Sequence, residues 1–244
     1  ERRPFENAAG GDFYYPSETH HGAQLKLRYA VENQRGSAAL SGASGLGKSL
    51  VIGNLMRDLP ERFQPQVHVV FPQMPADQLM AFLATEVASA IQPPTMLSES
   101  VTQLRNALRE NSQRGRHAVI AVDEAHLLDD RRTLEALRLL LNFETEGTPQ
   151  LTLILSGQPQ LLANLQRSRD LGDRVNVRTL LRPFDLEETV SYISHRLTAA
   201  GALRPIFEAD ATEAIHELTQ GIPRSINRLC DLALLIGFAD EKPE

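Results

Sequence analysis

Apolar residues along this chain fall into two alternating textures. Short unbroken runs, SAALS (37–41), VHVVF (67–71), AVIAV (118–122) and LTLIL (151–155), have the length expected of strands buried on both faces. A weaker run, RVNVRTLL (174–181), predicts a fifth strand. Between them apolar positions recur at helical spacing over 49–59, 77–91, 99–113 and 131–144. Ahead of the first strand, HHGAQLKLRYAVENQR has the same spacing at Leu25, at 27–30 and at Val31. Strands that alternate with helices predict an α/β fold: a parallel sheet with helices on both faces, three layers deep.

From Asp185 onward the strands stop, and three helices are expected over 186–200, 210–220 and 224–238. Asp185 with Glu188, and Asp210 with Glu213, each fit an acidic cap followed three residues later by Glu. Gly221 can close one helix and Pro223 can take the first position of the next. Residues 1–18, ERRPFENAAGGDFYYPSE, mix Pro, Gly and aromatics without a period and read as an extended arm. The expected organisation is therefore an arm over 1–18, an α/β body over 19–184 and a small helical lid over 185–244.

Composition narrows the partners. With 244 residues, 42% hydrophobic and 23% charged, the chain has ample mass for a core. The net charge of −6 gives no bulk attraction to nucleic acid, although a local basic strip could still bind it, and the absence of Trp argues against a base-stacking surface. Cys230 stands alone in an apolar helical stretch and reads as a core thiol in a reducing compartment. LALLIGFA (232–239) is far short of the ~20 residues that cross a bilayer. The start carries no signal-peptide pattern, and a chain beginning at Glu1 reads as a piece of a longer polypeptide.

The chemistry concentrates after the first strand. Gly42-Ala43-Ser44-Gly45-Leu46-Gly47-Lys48-Ser49 satisfies G-x-x-x-x-G-K-[ST], with Leu50 following on the next helix. Glycines let the backbone curl until successive N–H groups converge on phosphate oxygens. Lys48 brings a compact positive charge to the β- and γ-phosphates, the Ser49 hydroxyl can ligate Mg2+, and the helix from Ser49 aims its positive end at the same anion. The strand HAVIAV ends in Asp123 and Glu124. Asp123 is placed to hold Mg2+, and Glu124 to orient and deprotonate an attacking water. His126 reads as a loop or supporting residue. A glutamate in this place, with no Asn-Lys-x-Asp guanine-reading segment, favours ATP over GTP.

Beyond these motifs, LNFET (141–145), SGQPQLLANL (156–165), RVNVRTLLRPFDLEETVSYISHRLTAAG (174–201) and GIPRSINRLCDLALL (221–235) closely resemble the AAA+ ATPases of the general secretion pathway protein A (GspA/ExeA) type, as does PFENAAGGDFYYPSETHHGAQLKLRYAV near the start. The resemblance implies a P-loop NTPase body with a helical lid. It also implies an ATP-driven oligomer at the cytoplasmic face of the inner membrane, serving secretion, envelope, pilus or exopolysaccharide export complexes. The usual secretion member adds a membrane span and a wall-binding module that residues 1–244 do not contain. Related ATPases of the TnsC/TniB type instead regulate DNA transposition, so a DNA-associated ATPase is a second reading. A slow, nucleotide-gated scaffold is a third. By the same resemblance Gln158 or Ser156 is the polar sensor of the γ-phosphate, and Arg224 in the lid reports ATP occupancy. Arg174 or Arg178 is offered to a neighbouring subunit's ATP, and Tyr14, Tyr15 and Ile222 either line the adenine or only pack.

Overall fold

The computed structural model describes residues 3–6, 13–90 and 92–239. Of the arm expected over 1–18, residues 1, 2 and 7–12 lie outside the described residues, as do Ile91 at the end of the expected helix 77–91 and residues 240–244 of the expected lid.

Helix α1 (Glu18–Glu32) leads into β1 (Ser37–Ser41), α2 (Lys48–Asp58), β2 (Gln66–Val69), α3 (Ala76–Ala88), α4 (Leu97–Gln113) and β3 (Ala118–Val122). A short 3-10 turn over Ala125–Leu127 precedes α5 (Arg131–Leu140), β4 (Glu144–Thr145), β5 (Thr148–Pro149) and β6 (Leu151–Gly157). Then come α6 (Gln160–Arg167), α7 (Arg169–Gly172), β7 (Val177–Leu180), α8 (Leu186–Ala200), α9 (Ala209–Thr219) and α10 (Pro223–Ala239).

Five strands form one parallel sheet in the order β2-β3-β6-β1-β7. The unbroken apolar runs occupy its middle, where every residue of β1, β3 and β6 is buried. Strands β2 and β7 lie at the two edges; buried and accessible residues alternate along β2, and Thr179 is the buried residue of β7. From β1 the chain goes out to β2 at one edge, and from β6 it crosses β1 to reach β7 at the other. Such a reversal marks the place where open parallel sheets bind ligands, at the carboxyl ends of their strands.

Several expected boundaries move. The helix expected over 131–144 ends at Leu140, because Glu146 and Gly147 adopt left-handed φ of 54° and 78° and fold 144–149 into a hairpin. Positive φ at both central residues of a two-residue loop is the type I′ geometry that matches strand twist. The fifth strand shortens to 177–180. Asp185 and Glu188 form the expected reciprocal cap of α8, and Pro223 does begin α10. The cap expected at Asp210 is displaced: Glu208 occupies the position, and Asp210 lies in the first turn, where a carboxylate favours the helix dipole.

The chain divides into two compact units. One comprises Gly22–Gly42 and Lys48–Leu181, and its core is built on Leu79, Leu83, Leu104, Ile120, Leu137 and Leu153. The other comprises Glu1–His21, Ala43–Gly47 and Arg182–Glu244. Its core gathers Phe5, Phe184, Tyr192, Ile193, Ile226 and Cys230, and burial pushes the Cys230 thiol up to about 12, which makes it a packed, unreactive group. In that unit the Arg196 guanidinium donates to the carbonyls of Pro4 (2.6 Å), Glu6 (2.7 Å) and Phe13 (3.5 Å), fixing the described part of the N-terminal segment. Among the described residues no helix is long and apolar enough to cross a membrane.

Candidate functional site

In the sheet unit, β3, β6 and β1 are neighbours running the same way, so their carboxyl ends bring Asp123, Ser156–Gly157 and Gly42 to one edge. The Gly42 N–H donates to the Gly157 carbonyl at 3.1 Å, tying β1 to β6 where both strands end. Asp123 is buried, and a buried carboxylate persists only if its oxygens are engaged. Its Oδ1 accepts from the Ser156 hydroxyl at 2.9 Å and from the Glu124 N–H at 2.9 Å. Its Oδ2 accepts from the Ser49 hydroxyl and lies 3.9 Å from His68 Nε2. Lys48, also buried, donates from Nζ to the Gly42 carbonyl at 3.0 Å. Helix α2 begins at Lys48 and carries no acidic residue in its first turn, so its positive end keeps its full attraction for an anion.

These donors suit Mg2+. A serine hydroxyl and a carboxylate, brought into direct contact, are hard oxygen ligands, and magnesium typically takes one or two carboxylates together with substrate phosphates and water. Among the described residues no group of three or more His, Cys, Asp or Glu could hold a metal by itself.

Glu124 is a neighbour of Asp123 in sequence and its opposite in environment. Their side chains are 42% and 4% exposed. Glu124 holds the left-handed backbone conformation, φ 49° and ψ 31°, which costs a non-glycine residue about 1 kcal/mol or more. The two carboxylates, adjacent in sequence, therefore differ sharply in their access to solvent. His126 Nδ1 stands 3.3 Å from Glu124 Oε2. Behind His126, a methyl at Gly157 would meet its main-chain nitrogen at 3.0 Å and Nδ1 at 3.3 Å, while Asn164 Nδ2 donates to its carbonyl at 3.0 Å.

In the other unit, the middle of the glycine-rich loop is held from two sides. Gly45 and Gly47 have φ of 83° and 89°, open to glycine and strained for other residues. A methyl at Gly45 would meet Arg224 Cβ at 2.9 Å and Ile222 Cγ2 at 3.1 Å. The Arg224 N–H donates to the Gly45 carbonyl at 3.3 Å and its Nη1 to the Ser44 hydroxyl at 3.4 Å. From α1, His20 Nε2 lies 2.7 Å from the Leu46 carbonyl.

The remaining candidates scatter. Ser156 is engaged with Asp123, whereas Gln158 is half-buried just before α6 and its carbonyl accepts from the Leu161 N–H at 2.8 Å. Arg174 is half-buried and its carbonyl accepts from Ser37 Oγ at 2.5 Å. Arg178 donates from Nη2 to the Gly172 carbonyl at 2.8 Å, at the end of α7. Tyr15 packs edge-on to Phe184 and Tyr192 at 5.7 and 5.8 Å, and Tyr14 is half-buried. Leu50 is exposed. Sequence reasoning missed His20, His68 and Gly157. A histidine inside the apolar run VHVVF was a legible signal for His68, while His20 and Gly157 act through contacts remote in sequence.

Comparison with known proteins follows the same lines. The family described as AAA domain matches residues 31–165. The general secretion pathway protein A of Aeromonas hydrophila is 34% identical over 97% of this chain, which spans 43% of that protein's length. Among solved structures, the Aeropyrum pernix ORC2 protein, determined with ADPNP and ADP, superposes with a TM-score of 0.73 at 15% identity, covering 100% of this chain and 68% of that one. Cdc6p from Pyrobaculum aerophilum gives 0.74 at 16% identity, covering 99% and 67%. At such identities the structural likeness shows the fold alone.

Proposed function

The chain belongs to the AAA domain family and is related to general secretion pathway protein A, and from that premise we propose that it is an ATPase cleaving the β–γ phosphoanhydride of ATP. The observation that carries the reading is the split pair of acids: Asp123 enclosed by the Ser49 and Ser156 hydroxyls, Glu124 half-exposed beside it. Main-chain N–H groups of the loop and the Lys48 ammonium neutralise the triphosphate. Ser49 and Asp123 hold Mg2+, which when bound adds positive charge against the phosphate oxygens. Glu124 orients water and accepts its proton, a role worth roughly 10²–10⁴-fold. Gln158 senses the γ-phosphate, Arg224 reports occupancy through the loop it touches, and Ile222 packs beside the nucleotide.

The active form is a homo-oligomer in which Arg174 or Arg178 of one copy serves the ATP of the next, an arrangement worth roughly 10³–10⁵-fold in rate. Of the two, Arg178 already binds a carbonyl of its own chain, which supports Arg174. Likeness to a secretion-pathway protein supports a role in export or envelope assembly at the cytoplasmic face of the inner membrane. Against the DNA-loading alternative, the arginines of QRSRDLGDR (166–174) share their surface with acids: Asp129, Glu135 and Asp170 line the same cavity as Arg167 and Arg169. Duplex retention that depends on ATP and falls with salt would reverse that order. The half-exposed Glu124 supports turnover over a purely gated scaffold.

The decisive experiment pairs two variants. Lys48→Ala abolishes the calorimetric signal of MgATP binding, whereas Glu124→Gln binds MgATP normally and releases phosphate at least about 100-fold more slowly. Phosphate release by Glu124→Gln at the unmodified rate would remove Glu124 as the base.

A further inference from the structure

We propose that His20 is a positioning residue of the glycine-rich loop, fixing the Leu46–Gly47 peptide so that the Gly47 N–H faces the phosphate oxygens. The inference rests on the nucleotide reading above and extends it to a residue outside the motif. His20 sits in the first turn of α1 and is buried. Its two ring nitrogens are both engaged at short range: Nε2 with the Leu46 carbonyl at 2.7 Å and Nδ1 with the Ser17 hydroxyl at 2.7 Å.

The partners dictate the tautomer. A carbonyl can only accept, so Nε2 carries the hydrogen, and in a neutral ring Nδ1 then accepts from the Ser17 O–H. The same Ser17 oxygen takes the His20 main-chain N–H at 3.5 Å, so the cap of α1 and the ring orient each other. Burial holds the His20 pKa below the ordinary 6.5, against the opposing pull of the Leu46 carbonyl and the Glu188 carboxylate, so the ring is neutral at pH 7.

The consequence reaches the loop through peptide geometry. In a trans peptide the C=O and the following N–H point in opposite directions. Pinning the Leu46 carbonyl toward His20 therefore turns the Gly47 N–H away from it. A flipped peptide would present a carbonyl oxygen where an anion needs a donor. Gly47, at φ 89°, has no side chain to resist such a flip, and a methyl there would meet His20 Nε2 at 3.2 Å. The restraint comes from His20.

Glutamine and asparagine separate this role from simple packing. The glutamine amide nitrogen reaches the position of Nε2 and can donate to Leu46, whereas asparagine reaches only the Ser17 side. Calorimetric titration of MgADP and of a non-hydrolysable MgATP analogue into the whole chain should show both ligands weakened about tenfold by His20→Ala and by His20→Asn, the loss of one hydrogen bond. His20→Gln should restore the affinity for both ligands to within about threefold of the unmodified protein. Glutamine no better than alanine, or alanine binding like the unmodified chain, overturns the proposal while leaving the ATPase reading intact. No binding by the unmodified chain overturns both.

Discussion

At Asp123 and Glu124 two consecutive carboxylates are given different surroundings, Glu124 holding a left-handed backbone conformation. Asp123 ends a strand and turns inward to three donors, whereas the side chain of Glu124 lies on the accessible side, within 3.3 Å of His126. Gly157 controls that spacing, because anything larger presses on the main chain and ring of His126. Gly157→Ala should shift His126 and Glu124 by a few tenths of an ångström. Steady-state kinetics should then show kcat lowered by about threefold to tenfold with nucleotide affinity unchanged, as expected for a displaced base. The sequence displayed the acids and the glycine-lysine loop outright. It could not display that Gly157 touches His126, since a contact 31 residues away exists only once β6 lies beside β3.

Elements are set by their ends as much as by their interiors. Helix α8 is entered through Asp185 and Glu188, whose side chains accept from each other's main-chain N–H at 2.8 and 3.3 Å. Asp185→Ala should cost about 1 kcal/mol, read as a lower urea midpoint with an unchanged slope. The corner between α9 and α10 is more demanding. Gly221 has φ 68°, and a methyl there would fall 1.9 Å from the Phe184 carbonyl oxygen, whose own N–H donates to Gly221 at 2.9 Å. Gly221→Ala should destabilise by at least about 2 kcal/mol, with a matching fall in the thermal midpoint. The cap of α8 was visible as a residue pattern, whereas the close of α9 expected at Gly221 falls one residue earlier, on Gln220 at φ 51°, with Gly221 following it. The hairpin at 144–149 was not read, because the apolar run LRLLLNF carries helical spacing up to the turn, and only the Glu-Gly pair signals a reversal.

Across the molecule, buried neutral histidines couple folding to pH. His117 is buried, with Nε2 2.8 Å from the Thr152 hydroxyl, and burial lowers its pKa to about 4 against an opposing contribution from the Pro149 carbonyl. Below pH 6.5 the unfolded chain binds a proton that the folded chain refuses, so stability falls as pH drops from 6.5 toward 4. The full interval is worth roughly 3 kcal/mol from this residue, and His20 contributes in the same direction. Chemical denaturation between pH 7 and 4 should show the decline, and His117→Gln should flatten it. By itself the sequence determined the strand–helix alternation, the parallel α/β class, the glycine-lysine loop motif and the adjacency of the two acids, because these are written in residues near one another along the chain. Tertiary structure alone decided the strand order, the contacts of Ser49 and Ser156 with Asp123, and the hold of His20 on Leu46. Those depend on bringing together groups separated by tens of residues, and no local periodicity encodes which distant partners will meet.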